Sequence, residues 1–349
     1  MKDMNPNTLG YVVVTDYLEA NTGKDVSDAI QKVIDENPMR TIYFPDGEYV
    51  IAKPICTSAK PENAVSLHLS SFAIIKAADG WNHTEAMIRL GGAEPYNTIY
   101  RNGSNYYFCG GIGDGNMVAN GISIDSGRET SVRNVSIKHT VLGLHIKRGA
   151  NNGASDADIE AVHIVGNNRK NSIGFLIEGT DNTASNMRIA GVQTGVLINS
   201  SGNCLRNIHP LFVFPGEYGG DASDIDFTET IAFDEQDHGC FGSNWYDFCY
   251  SDQLATGFKL CRNSNSVFTN CFVFWYTEKG GKQIAFECQE AFNASITSPK
   301  VYFRPNCTQK EFLVGATKGG NGFVANPNFA ESLVTDRTYK DFLVGKVIA

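Results

Sequence analysis

Four strings decide how this chain folds: Gly-Ile-Ser-Ile-Asp at 121–125, Gly-Leu-His-Ile-Lys at 143–147, Gly-Phe-Leu-Ile-Glu at 174–178 and Gly-Val-Leu-Ile-Asn at 195–199. A second set interleaves with them: Asn-Val-Ser-Ile at 134–137, Ala-Val-His-Ile at 161–164, Asn-Met-Arg-Ile at 186–189 and Leu-Arg-Asn-Ile at 205–208. Successive copies fall roughly 20 to 30 residues apart, the period of a coiled solenoid. Each unit is two or three short strands that cannot bury an apolar face alone, so stacking is what builds the core. The expected fold is all-β, a single-stranded parallel β-helix with a long exposed groove, and long grooves suit polymers.

Strand residues alternate between faces. In the first set the pairs Ile122/Ile124, Leu144/Ile146, Phe175/Ile177 and Val196/Ile198 are expected to point inward. Ser123/Asp125, His145/Lys147, Leu176/Glu178 and Leu197/Asn199 then point outward. The 35 glycines, and the asparagines clustered between strands, suit corners that need left-handed backbone.

Outside the repeats, Val26, Ala29, Ile30, Val33 and Ile34 make one helical face, with Asp25 or Ser27 able to cap it. Residues 41–51, Thr-Ile-Tyr-Phe-Pro-Asp-Gly-Glu-Tyr-Val-Ile, read as strand, turn, strand. A lone helix before a β solenoid is an end plug, covering apolar core and unpaired edges. One domain over 1–349 is expected. The cap helix and first strands span about 20–55, regular coils about 100–305, a long loop 211–243, and last coils with a tail 306–349.

The net charge is −9, with no basic stripe of the kind duplex binding needs, so a nucleic-acid partner is not expected. No apolar run reaches the length of a membrane span. The opening, Met-Lys-Asp-Met-Asn-Pro-Asn, has no signal-peptide core. Nine scattered cysteines without a CxxC pair read as small core residues and fit a reducing compartment; a chain trimmed of its signal would be secreted and look the same. The sequence sets no oligomeric state.

The stretch 25–34, Asp-Val-Ser-Asp-Ala-Ile-Gln-Lys-Val-Ile, followed by Ile42-Tyr-Phe-Pro-Asp-Gly-Glu-Tyr-Val-Ile51, resembles the opening of the pectate-lyase-like (pectin lyase-like) right-handed parallel β-helix superfamily. Gly110-Gly-Ile-Gly-Asp-Gly-Asn116 resembles a later turn of that family. The resemblance covers roughly residues 20–210 and implies a right-handed helix with an N-terminal α-helical cap. His145-Ile-Lys147 resembles the Arg-Ile-Lys motif of the polygalacturonase-like branch, with His for Arg. The branch's Asn-Thr-Asp, Asp-Asp and Gly-His-Gly motifs are missing, which argues against ordinary polygalacturonase activity. Such a superfamily hosts many activities, so function must come from residues.

Asp125, His145, Lys147 and Glu178 form the candidate catalytic column. Stacked strands would set Asp125 and Glu178 roughly 9.6 Å apart, at the upper limit for an inverting glycosidase. Lys147 between two acids could hold one ionised while the other stays a proton donor; a solvated charge ladder is the plain alternative. Lys147-Arg148 could instead serve a lyase as base and clamp. Ca²⁺ on Asp221, Asp224 and Asp226 would then assist, and otherwise no cofactor or metal is expected.

The candidate substrate-binding residues are Arg148, His209, Trp245, Tyr246, Asp247, Trp275, Tyr276 and Glu278. The aromatic pairs lie 30 residues apart, near one coil, and could stack sugar rings in a cleft roofed by the 211–243 loop. The expected function is a carbohydrate-active enzyme cleaving a polysaccharide or oligosaccharide, as glycoside hydrolase or polysaccharide lyase. The alternative is a non-catalytic glycan-binding or structural β-helix, such as a phage tailspike or adhesin segment.

Overall fold

The computed structural model describes residues 10–93, 107–148, 154–217, 222–236, 243–277, 281–307, 309–329 and 338–344. The chain is a right-handed parallel β-helix. It divides into two compact units, residues 1–167 and 168–349.

Among the described residues of the first unit every strand pairing is parallel, and each coil contributes up to three strands. One full coil is Val65–Leu69, Ala73–Ala77 and Ala86–Leu90. The next is Tyr107–Cys109, Ile112–Asp114 and Asn120–Ile124, and a third is Ser131–Arg133, Ser136–Thr140 and Leu142–Ile146. Arg40–Phe44 and Gly47–Ile51 are both strands, as their β-branched and aromatic residues require. They do not pair with each other: Arg40–Phe44 pairs with Val65–Leu69 and Gly47–Ile51 with Ala73–Ala77. The Pro-Asp step is therefore a coil corner, because a solenoid finds its partner strand one turn onward.

Helix Ser27–Glu36 buries Ile30, Val33 and Ile34. Asp25 accepts from the Ser27 and Ala52 amides, both at 2.9 Å, which ties the helix start to the strand ending at Ile51. The Gln31 side chain then behaves like a strand edge. Its Nε2 donates to the Cys56 carbonyl at 2.9 Å, and its Oε1 accepts from the Cys56 amide at 2.8 Å. Cys56 belongs to Ile55–Cys56, whose strand partner is Ala86–Leu90.

The interior follows the expected parity. Ile122 pairs with Leu144 and Ile124 with Ile146, all buried. In the second unit Phe175 pairs with Val196 and Ile177 with Ile198, again buried. Further along, the same inward position becomes aromatic. Phe233, Phe258 and Phe286 stack at 4.8 and 4.9 Å with nearly parallel planes, and Tyr246 stacks on Phe268 at 4.4 Å.

One corner repeats in left-handed backbone: Asn134 and Ala161 in the first unit, then Asn186, Asn207, Phe248, Asn270, Ser298 and Asn326 in the second. Asparagine is the cheap L-residue there, since its short amide bonds locally. Asn207 also donates its amide to Asn186 one coil away, at 2.8 Å.

The segment expected to be one long loop is not one. Ile231–Glu235 is a strand, in register with Thr194–Ile198 on one side and Thr256–Lys259 on the other. Before it, Phe212, Phe214 and Phe227 pack on one another with centroids 5.0–5.6 Å apart. The acidic residues that suggested a solvated loop flank a small apolar cluster.

Candidate functional site

In the first unit, Arg89, Ser123 and His145 occupy the same outward position on consecutive strands. Asp125 follows its strand and gathers this row. Arg89 reaches its Oδ2 through Nε at 2.8 Å and Nη2 at 2.6 Å. Lys147 Nζ stands 3.1 Å from Oδ1, and Ser123 donates its hydroxyl to the same oxygen. The Asp125 side chain is only 9% exposed. Burial works to raise its pKa, but the Ser123 bond, Lys147 and Arg89 together hold it below the ordinary aspartate range. Gly92 permits this closeness: a Cβ there would lie 2.7 Å from Arg89 Cβ and 3.0 Å from Asp125 Oδ2.

The structure thus joins Asp125 and Lys147, two of the four expected catalytic residues. An Asp125 clamped by two cations is a fixed negative charge and no proton donor near neutrality. His145 stands one strand from Ser123, half-buried. Glu178 belongs to the second unit, just beyond Ile177. Arg148 is exposed at the end of its described segment.

The second unit carries a row that sequence reading missed. Asp234, Lys259 and Glu287 share one outward register position on three consecutive strands. Gln236 donates to Asp234 Oδ2 at 2.7 Å. Oδ1 is buried without a hydrogen-bond donor, and the nearest cation, Lys259 Nζ, is 3.9 Å away. Burial pushes the Asp234 pKa up, Lys259 and Gln236 offset this in part, and Glu287 adds to the rise. An acid–lysine–acid row therefore exists, with the protonatable carboxyl at Asp234.

Behind it, Glu235 takes an inward position, opposite Ile198. Ser264, Ser266, Tyr246 and Asn244 all donate to its carboxyl, at 2.6, 2.5, 2.8 and 3.3 Å. That network corrects one expectation. The Tyr246 ring is closed to solvent and stacked in the core, so it is no sugar platform. Trp275 is equally buried, with Nε1 donating to the Leu254 carbonyl at 2.9 Å. Trp245 is 48% exposed and Tyr276 half-buried. The two pairs are not stacked: Trp245 is in register with Val267, and Trp275 with Phe303 on a different sheet. Asp247 stands 3.5 Å from Arg206, and His209 Nε2 is 3.3 Å from Asp252. Glu278 lies outside the described residues.

Of the acids considered for Ca²⁺, Asp221 lies outside the described residues. Asp224 accepts from the Lys170 amide at 2.8 Å, and Asp226 caps the short helix Phe227–Glu229 through Thr228. Among the described residues no three His, Cys, Asp or Glu side chains converge as a ligand set.

No protein-family model matches the chain, and no curated protein sequence matches it significantly. Solved structures do match. PfbA, a surface adhesin of Streptococcus pneumoniae, aligns at TM-score 0.55 and 12% identity over 91% of this chain and 90% of that one. A tailspike protein mutant of E. coli bacteriophage HK620, solved with a pentasaccharide, aligns at TM-score 0.66 and 10% identity over 94% and 67%. A mutant DFA-IIIase from Arthrobacter chlorophenolicus A6, solved with DFA-III, aligns at 0.50 and 8% over 84% of each. At such identities the likeness is one of fold alone, that of a right-handed parallel β-helix.

Proposed function

We propose that the protein is a carbohydrate-active enzyme that hydrolyses a glycosidic bond over the outward row Asp234–Lys259–Glu287. One observation carries this reading: a buried, partly unpartnered carboxyl with a raised pKa stands two strands from a second carboxylate on the same face. Two strand spacings put their Cα atoms roughly 10 Å apart. That spacing matches the upper end of the range of about 6.5–9.5 Å in which an inverting glycosidase seats a water. Asp234, protonated, gives its proton to the glycosidic oxygen as the C1–O bond breaks. Glu287, ionised, takes a proton from the water whose oxygen bonds C1 from the opposite side. Lys259 between them limits how far the Asp234 pKa climbs. The shared fold of a pentasaccharide-bound tailspike protein and of DFA-IIIase bound to DFA-III supports a glycan partner.

The test is a panel of polysaccharides assayed for new reducing ends and for absorbance of unsaturated uronate. Reducing ends without that absorbance, lost in Asp234→Asn and in Glu287→Gln, are expected. Unsaturated products would replace hydrolysis by elimination. Activity intact in both variants would remove the site, and no activity on any member would favour a binding β-helix.

A further inference from the structure

The outward face of another sheet in the second unit has no role in that chemistry. Its strands are Tyr250–Asp252, Phe272–Trp275 and Lys300–Phe303. Ser251, Val273 and Val301 point inward and are buried. The outward residues form two rows. In the first, Tyr250, Phe272 and Lys300 are in register. His209 stacks on Tyr250 at 4.0 Å, Tyr250 on Phe272 at 4.7 Å, and Arg188 stands in register with His209. In the second row Asp252, Phe274 and Tyr302 are in register, and Phe274 stacks on Tyr302 at 5.6 Å.

The first row reads Arg188, His209, Tyr250, Phe272, Lys300. A cation stands at each end of a stack of three rings, and the whole row is about 19 Å long at the strand spacing. Lys300 Nζ lies 5.4 Å from the Phe272 centroid, and Arg188, Lys300 and the nearby Arg304 have no carboxylate partner among the described residues. Among the described outward residues of these three strands the one acid, Asp252, lies beside His209. In a chain of net charge −9 this is a local reversal of sign.

The stacking decides what the rings can bind. Rings piled along the helix axis cover one another's faces and present their edges outward. An aromatic face is negative and its edge positive. The face therefore offers a band of weakly positive C–H edges between cations. Bases of single-stranded nucleic acid need open ring faces, and in the first row the faces that His209, Tyr250 and Phe272 turn to one another are taken. Sugar carboxylates need no open face.

We infer that this ribbon is a binding surface for a linear acidic polysaccharide, a polyuronate lying along the helix axis from Arg188 to Lys300. This rests on the glycan reading of the fold but not on catalysis. It is tested on the full chain carrying Asp234→Asn, so that turnover plays no part. Mobility in native gels containing polygalacturonate, dextran or oligothymidylate is the readout. Retardation by polygalacturonate alone is expected, fading as salt rises. Arg188→Ala with Lys300→Ala should weaken it about tenfold, and Phe272→Leu with Tyr302→Leu should also weaken it while circular dichroism stays unchanged. Equal retardation by dextran overturns the inference. So does no retardation at all, retardation that survives the paired cation changes, or stronger retardation by oligothymidylate. Hydrolysis by the unmodified chain could persist through any of these, which keeps the two failures distinct.

Discussion

Tyr246 donates its hydroxyl to Oε1 of Glu235 at 2.8 Å, and both groups are fully closed to solvent inside the second unit. Burial raises the Glu235 pKa despite donors from Ser264, Ser266, Tyr246 and Asn244. The folded chain therefore holds a proton that the unfolded chain releases above the ordinary glutamate range. Stability from this group is full below that range and is lost as pH rises towards the folded pKa. Glu235→Gln, which needs no ionisation, should flatten the fall in Tm between about pH 5 and about pH 8. Thermal unfolding at the two pH values decides it; an unchanged slope would refute the assignment.

Asp125 gives the opposite slope. Its pKa is lowered, so its contribution is present above the ordinary aspartate range and is lost as pH falls through the folded pKa. Asp125→Ala leaves Arg89 and Lys147 facing each other across a part-buried space and should cost about 3 kcal/mol. A urea midpoint shift equivalent to less than about 1 kcal/mol would mean that the cluster is no more than a surface ladder.

The repeating left-handed corner predicts two gains. Ala161 and Phe248 sit where most coils place asparagine, at φ 52° and 54°. Left-handed backbone costs an ordinary L-residue roughly 1–2 kcal/mol. Ala161→Asn and Phe248→Asn should each raise stability by about 0.5–1 kcal/mol, and Asn207→Ala should lower it by a like amount. Chemical denaturation of the three variants checks the sign at each corner.

If Asp234 is the proton donor, activity must fall on the alkaline side of its raised pKa. Lys259 opposes that rise, so Lys259→Met should carry the alkaline limb of the pH–rate profile to higher pH. A limb moving to lower pH would exclude Asp234 from the role.

The inward positions were legible because Gly-x-x-Ile fixes parity: in the first unit Ile124 pairs with Ile146, in the second Ile177 pairs with Ile198, and all four are buried. Arg89 was not, since its strand carries Met87 in place of the glycine that marks the others. Asp234 and Glu235 were hidden by their neighbours: eight ionisable side chains between 221 and 238 look like a solvated loop. Yet Glu235 replaces an isoleucine in the core because four donors from other coils meet it there. The aromatic pairs misled by arithmetic. A 30-residue offset is one coil only if coils are equal, and here it carries Trp275 past Trp245's partner strand onto the next sheet. The stacked outward ribbon has no local sequence mark, because its members come from five segments.

The Gln31 amide on Cys56 has a consequence for association. A parallel strand with a free edge is a template on which another chain can add, rung upon rung, without a natural stopping point. Gln31 satisfies the Cys56 amide and carbonyl together, so an incoming strand finds no bonding groups at that rung. One side chain thus acts as a terminator for polymer growth. Gln31→Ala should leave the coils folded but let solutions thicken into thioflavin-positive filaments over time.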